Sequence, residues 1–257
     1  MKLLILPDIH GRKFWKEPCQ NIDHYDKVIF LGDYLDPYGF EGIKVADAID
    51  NFKSIIELKR HHMDKVVLLL GNHDMPYFSQ SYYRLSRFHS RHSHMHHNEI
   101  AQLFMSDKDL FQIAFVCDDI LFTHAGVTST WLYDILKYNV NSVDANEISK
   151  LVNGLIDTNI GLERLYMVST YRGGYDYTSS CIWADCDETK TDYIQPTNKL
   201  KDLKQVFGHS LQAFYNKNNE IVYGNALEFG TCKMVDTASA YVLDTETFTI
   251  EKIGEGN

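Results

Sequence analysis

Lys27-Val28-Ile29-Phe30-Leu31-Gly32-Asp33-Tyr34-Leu35-Asp36 runs from a short apolar segment straight into a turn carrying two carboxylates. The segment KVIFL does not alternate with polar residues, which suits a strand covered on both faces of a parallel or mixed sheet. Residues 2–6 (KLLIL) and 65–70 (KVVLLL) are of the same kind, and each of the three ends at Pro, Gly or Asp. Between the second and third, Val45, Ala48, Ile49, Phe52, Ile55, Ile56 and Lys59 recur at helical spacing over Val45 to His62, which predicts an amphipathic helix. Strand, helix, strand is a βαβ unit, and the fold class it predicts is α/β with layered helices.

Further along, Met75 to about Leu110 reads as helical but polar, with Tyr77, Phe78, Tyr82, Tyr83, Leu85 and Phe88 available for packing. Residues 111–117 and 120–123 read as a hairpin about Asp118-Asp119, and residues 128–156 read as helical again. Strand character returns at 205–208, 220–224 and 240–252, the last suggesting a terminal hairpin. The chain of 257 residues, 44% hydrophobic, is long enough to bury a sizeable core without disulfides. No repeat or low-complexity linker divides it, so a single domain over residues 1–257 is expected, with a helical cap or lid contributed by about 75–110 and 127–180. The net charge of -10 argues against non-specific nucleic-acid binding. Five scattered cysteines without a CxxC pair indicate neither a zinc ribbon nor a disulfide framework, and they suit a reducing cytoplasm. The opening MKLLILPDIH is too short for a signal peptide and reads as a buried strand, and no apolar run approaches membrane-spanning length.

The chemistry lies at the strand ends, where α/β sheets bind ligands. Asp8-Ile9-His10-Gly11 follows the first strand, Gly32-Asp33-Tyr34-Leu35-Asp36 the second, and Gly71-Asn72-His73-Asp74 the third. His124-Ala125-Gly126 follows 120–123, and Gly208-His209 follows 205–207. Any one of these is ordinary turn chemistry. Five in order, each delivering Asp, His or Asn beside a turn-forming glycine, describe a site. Carboxylate oxygens with imidazole nitrogens suit first-row divalent metals such as Mn, Fe or Zn. Six such ligands exceed what one open catalytic ion needs and suit two ions roughly 3.5–4 Å apart sharing a carboxylate.

The series DIHG, GDYLD, GNHD, THAG and GHS resembles the calcineurin-like metallophosphoesterases, with the detail closest to the Ser/Thr protein phosphatases and bis-nucleosyl tetraphosphatases. Ile182-Trp183-Ala184-Asp185 and Val235-Asp236-Thr237-Ala238 resemble further segments of that branch. The resemblance implies a four-layer α/β/β/α sandwich of two mixed sheets flanked by helices. It also implies that Asp8 and His10 hold a first metal, that Asp33 bridges to a second, and that Asn72, His124 and His209 complete the ligands of that second metal. His73, paired with Asp36, would be the general acid, and metal-activated water or hydroxide the nucleophile. Two divalent ions would be the cofactors, Mn²⁺ first and Fe or Zn as alternatives.

The pattern also departs from that branch. Protein phosphatases carry Arg where Pro37 stands in GDYLDPYGF, GNHD replaces GNHE, and no Arg follows Arg172. Arg is the preferred planar phosphate clamp, so the expected substrate is a small phosphorylated compound or nucleotide, with a Ser/Thr protein phosphatase as the alternative and a non-catalytic scaffold as the rival class. Arg12 and Arg172 are the replacement candidates for binding phosphate. Leu211 stands where many relatives place a second histidine, which leaves the first metal with fewer protein ligands. The tract His89 to His97 is expected to be a solvated polar segment, with a metal-binding part of a lid as the alternative, and Arg84, Arg87 and Arg91 to lie on one exposed helical face, with a phosphate-facing stripe as the alternative. Trp183 is expected in the core.

Overall fold

The computed structural model describes residues 1–85, 91–138, 143–211, 214–215, 217, 221–222 and 224–255. Its first sheet is built from β1 (Lys2–Leu6), β2 (Lys27–Phe30), β3 (Val66–Leu69) and β4 (Phe111–Gln112), all parallel. A second sheet contains β5 (Ala114–Cys117), β6 (Ile120–Thr123) and β7 (Lys204–Phe207), with β6 and β7 parallel. The strands β8 (Phe214–Tyr215) and β9 (Ile221–Val222) pair by themselves. The second sheet is completed by β10 (Leu227–Phe229) and β11 (Cys232–Met234), giving the order β10-β11-β7-β6-β5. The antiparallel hairpin β12 (Ser239–Asp244) and β13 (Thr249–Glu255) closes the first sheet in the order β13-β12-β1-β2-β3-β4. Both sheets are therefore mixed.

The unbroken apolar runs have the double burial they imply. Leu3, Ile5, Ile29, Leu31, Val67 and Leu69 point one way and meet Ile120, Phe122 and Val206 of the second sheet. Leu4, Leu6, Val28, Phe30, Val66, Leu68 and Leu70 point the other way and meet the helical layer. That layer includes α2 (Val45–His61), which follows the short α1 (Lys16–Cys19) and buries Ala48, Ile49, Phe52, Ile55 and Ile56. Each large side chain so buried contributes about 1.5–3 kcal/mol. On the far side α6 (Ala145–Asn153), started by the Asp144 side chain accepting from the N–H groups of Asn146 and Glu147, covers the second sheet. Helix, sheet, sheet and helix form the α/β sandwich that the resemblance implied.

Several local expectations need correction. Residues 111–117 do not make one strand: β4 belongs to the first sheet and β5 to the second, with buried Ile113 as the crossing point. Asn153 Oδ1 accepts from the N–H groups of both Ile113 and Ala114, at 2.8 and 3.0 Å, so a remote side chain holds the kink. The described residues of 75–110 form not one helix but α3 (Met75–Phe78), α4 (Gln80–Leu85) and, after a 3₁₀ turn at His94–His96, α5 (His97–Ser106). Arg91 has a non-helical φ of 62° while Arg84 lies in the last turn of α4, so these two do not share a helical face; Arg87, Phe88 and His89 lie outside the described residues. Within the histidine tract His92 is buried and stacks on Tyr77 with ring centroids 4.3 Å apart, while His94 is exposed as expected. Of the 128–156 segment, Trp131–Ile135 forms a π-helical turn ahead of α6, and residues 139–142 are outside the description, as are 220 and 223 of the strand expected at 220–224. The helices α7 (Asn159–Leu165) and α8 (Cys186–Ile194) complete the layer. Among the described residues no helix is long and apolar enough to cross a membrane.

Candidate active site

The carboxyl ends of β1, β2 and β3 in one sheet and of β6 and β7 in the other open onto the same place. Leu31, just past β2, gives its carbonyl to His124 Nδ1–H, just past β6, at 2.8 Å. His209 N–H, past β7, donates to Asp8 Oδ2, past β1, at 2.9 Å. These bonds lock the ends of the two sheets together. Glycine is required where they touch: a Cβ on Gly208 would lie 2.6 Å from Asp8 Oδ2, and one on Gly71 would collide with the Asp33 carboxylate. Asp8, His10, Asp33, Asp36 and His209 all have positive φ, from 38° to 71°. Left-handed backbone in non-glycine residues costs free energy and concentrates where geometry serves function.

Asp8, Asp33, His124 and His209 offer ligand atoms that lie within 4.8 Å of one another. His124 Nε2 is 3.0 Å from His209 Nδ1 and 3.1 Å from Asn72 Oδ1. Asp33 Oδ2 is 3.5 Å from His124 Nε2 and also 3.5 Å from His10 Nε2. Because His10 Nδ1–H is committed to the Leu35 carbonyl at 2.7 Å and His124 Nδ1–H to Leu31, both Nε2 atoms turn inward, that of His10 as an acceptor and that of His124 once its proton is displaced. That outer hydrogen bond is the usual device for orienting an imidazole ligand. All of these side chains are buried except His209, which is partly so. A buried set of carboxylate, imidazole and amide donors with hydrogen-bonded backs fits a divalent cation.

The charge states agree with that fit. Burial pushes the Asp8 carboxyl up to about 6, with the Asp33 carboxylate adding to it. Burial also opposes ionisation of Asp33, but the imidazoles of His124, His73 and His10 outweigh it and hold the carboxyl well below its usual range. Burial holds His10 and His209 well below the ordinary histidine value. His124 goes the other way: burial disfavours its cation, yet Asp33 and Asp8 push it up to about 9. A metal must displace that proton, so affinity should rise with pH, about tenfold per unit between pH 6 and 9 and more steeply below 6, where Asp8 also carries a proton. Calorimetric Mn²⁺ titrations in buffers of different ionisation enthalpy should report release of one proton at pH 7.5; affinity flat from pH 6 to 9 would contradict this.

Around the cluster, His73 donates through Nδ1 to Asp36 Oδ2 at 3.0 Å, and its own N–H donates to Asp33 Oδ1 at 2.9 Å. Tyr77 Oη donates to Asp36 Oδ1 at 2.6 Å and accepts from Ser93 N–H. Burial and the neighbouring Asp36 push the Tyr77 phenol far up, so it stays a donor. Asp74 braces the loops: its carboxylate accepts from the N–H groups of Asp33, Tyr34 and Gly71 at 2.6, 3.0 and 2.8 Å. Asp74→Asn turns an NH₂ toward these donors and should cost about 2–4 kcal/mol in urea denaturation of the metal-free protein, whereas a loss below about 1 kcal/mol would remove the brace from the account.

The two arginines expected at phosphate are both tied to carboxylates. Arg12 pairs with Glu41 at 2.8 Å and donates to the Asp8 carbonyl, and Arg172 pairs with Asp185 at 2.9 Å and donates to Ser210 Oγ. Trp183 is half-buried, not in the core; its ring lies 6.2 Å from that of His209, and its Nε1–H donates to Tyr82 Oη. Tyr166 packs edge-on to Trp183 and lines an open groove of about 580 Å³ with Leu85, Met167, Val168 and Tyr175. Sequence reasoning missed Tyr38 and misplaced Arg91, and the two stand over the first carboxylate–imidazole pair: Tyr38 lies edge-on to His10 at 5.1 Å, and the Arg91 guanidinium stacks on Tyr38 at 3.6 Å.

Strand-end loops from two facing sheets, converging on a buried donor set that fits a cation, define a metal-centre site on an α/β sandwich. The family model for calcineurin-like phosphoesterases matches residues 1–213, a span that includes every residue of this cluster, and the chain belongs to that family. Members of the family are generally metal-dependent phosphoesterases. A search of curated proteins found no match.

Proposed function

We propose that this chain is a dinuclear metal-dependent phosphoesterase acting on a small phosphorylated or nucleotide substrate. The observation that carries the reading is Asp33 Oδ2, equidistant at 3.5 Å from His10 Nε2 and His124 Nε2. One carboxylate oxygen set between two inward-facing imidazoles divides the cluster into two cation positions. Asp8, His10 and Asp33 would hold the first ion, and Asp33, Asn72, His124 and His209 the second. Divalent ions there, Mn²⁺ foremost and Fe or Zn as alternatives, would supply charge neutralisation at the phosphoryl oxygens and lower the pKa of the attacking water.

The chain's own groups do the rest. His73 Nε2 faces the site, and the imidazolium form of the ring, stabilised by Asp36, delivers a proton from it to the leaving oxygen. Asp36 holds the ring through Nδ1, and Tyr77 holds Asp36. Trp183 stands beside His209 and packs on Tyr166, which lines the neighbouring groove, and these rings give a base or sugar a surface to lie on, which supports a nucleotide-sized substrate. The five cysteines are free, which supports a reducing, cytoplasmic setting.

Purified protein loaded with Mn²⁺ should carry close to two ions per chain and turn over nucleotides or small phosphomonoesters faster than phosphopeptides. Brisk phosphopeptide turnover with inert nucleotides would make it a protein phosphatase. Metal content well below two with no turnover would leave a binding scaffold.

A further inference from the structure

We infer that Arg91 is the residue that grips the substrate's phosphoryl group, and that it does so by leaving His73. The inference rests on the phosphoesterase reading above and adds to it the cation that Arg12 and Arg172 do not provide. Arg12 and Arg172 are neutralised by Glu41 and Asp185. Arg91 differs from both. Among the described residues no carboxylate lies within ion-pairing distance of it, and its Nη1 is buried without a hydrogen-bond partner. Its charge is met by the face of Tyr38, 3.6 Å from the ring centroid, and its Nη2 donates to His73 Nε2 at 2.9 Å. A partly buried guanidinium without an anion is held at a cost in free energy. Its planar fork matches two oxygens of a phosphoryl group.

The backbone puts it there. Arg91 sits at φ of 62°, beyond α4 and before the 3₁₀ turn at His94–His96, and this left-handed residue turns the side chain back over the strand ends. Ser93 N–H donates to Tyr77 Oη, which donates to Asp36, so the segment carrying Arg91 is pinned to the same carboxylate that holds His73. In the resting arrangement His73 Nε2 is an acceptor for Arg91. A phosphate drawing Nη1 and Nη2 to its oxygens takes Arg91 off Nε2 and leaves that ring nitrogen open to the site.

The test uses full-length Mn²⁺-loaded protein and inorganic phosphate as the probe, with binding read by calorimetry so that no turnover is needed. Arg91→Ala should bind phosphate about ten- to hundredfold more weakly, the range a charged hydrogen-bonding contact commands, with metal content unchanged. Arg91→Lys should recover only part of the loss, because an ammonium lacks the fork. Millimolar guanidinium ion should restore phosphate binding to Arg91→Ala and leave wild type unchanged. Wild-type phosphate affinity retained by Arg91→Ala, or no phosphate binding by the wild type, would overturn the proposal. So would a normal Arg91→Lys alongside a misfolded Arg91→Ala, which would make the role purely structural. If phosphate binding depends on Arg91 but no phosphoester is turned over, the grip stands and the enzymatic reading falls. If turnover is brisk and Arg91→Ala binds phosphate normally, the enzymatic reading stands and the grip falls.

Discussion

Asp33→Asn is expected to abolish metal-dependent activity, with a loss on the order of 10³-fold or more, exceeding the 10²–10³ typical of removing one transition-state donor. The substitution is nearly isosteric and keeps Oδ1, which accepts from His73 N–H. It replaces Oδ2, the atom 3.5 Å from both His10 Nε2 and His124 Nε2, with an NH₂ that can only donate. Both cation positions lose their shared anion. The deficit should appear without any substrate. Wild-type protein at a Mn²⁺ concentration 100 times its dissociation constant gains about 2.7 kcal/mol of stability from binding, and Asp33→Asn should gain almost none at that concentration. A variant that keeps the metal-induced thermal shift but loses activity would show that Asp33 is not the bridge.

How much of this could be read from the sequence depended on whether a feature's cause was local. The first three strands were legible because burial on both faces leaves an unbroken apolar run, as Leu3, Leu4, Ile5 and Leu6 show by alternating between the two clusters. The switch of sheets at Ile113 was not legible. Its cause is Asn153 on α6, 40 residues away, which captures two backbone N–H groups at the kink. No turn residue marks the place, so the local pattern reads as one strand. Arg91 was misread for a similar reason: the successive spacings of three and four in Arg84, Arg87 and Arg91 match a helix face, whereas a single left-handed residue redirects the side chain into the site. A pattern in sequence can report periodicity, but it carries no signal for one reversed φ in an arginine.

The donor set was legible for the opposite reason. Asp8, Asp33, Asn72, His124 and His209 each follow a strand, and parallel strands in register bring their ends together whatever the intervening chain does. Asp74 is an intermediate case. Its place in GNHD was visible, but its task of accepting three N–H groups from two loops follows only from the approach of Gly71 to Asp33.

His73→Ala should leave the metals in place and remove most of the turnover, about 10²- to 10⁴-fold, the range for a positioned general acid. The geometry separates the two effects. The contact of His73 with the donor set runs through its main-chain N–H to Asp33 Oδ1, which alanine retains. What alanine deletes is the ring between Asp36 Oδ2 and the site. Because an acid matters in proportion to the basicity of the leaving oxygen, the loss should be large for an alkyl phosphate and small for a nitrophenyl ester, whose leaving group departs without a proton. Asp36→Asn should show the same dependence in weaker form, since it alters only what holds Nδ1. A uniform loss across leaving groups would deny His73 the role of acid, and a loss of metal would make it a ligand. Retained metal with a leaving-group-dependent defect is the result that Asp36, Tyr77 and Asp33, gripping one histidine at ring and backbone, lead us to expect.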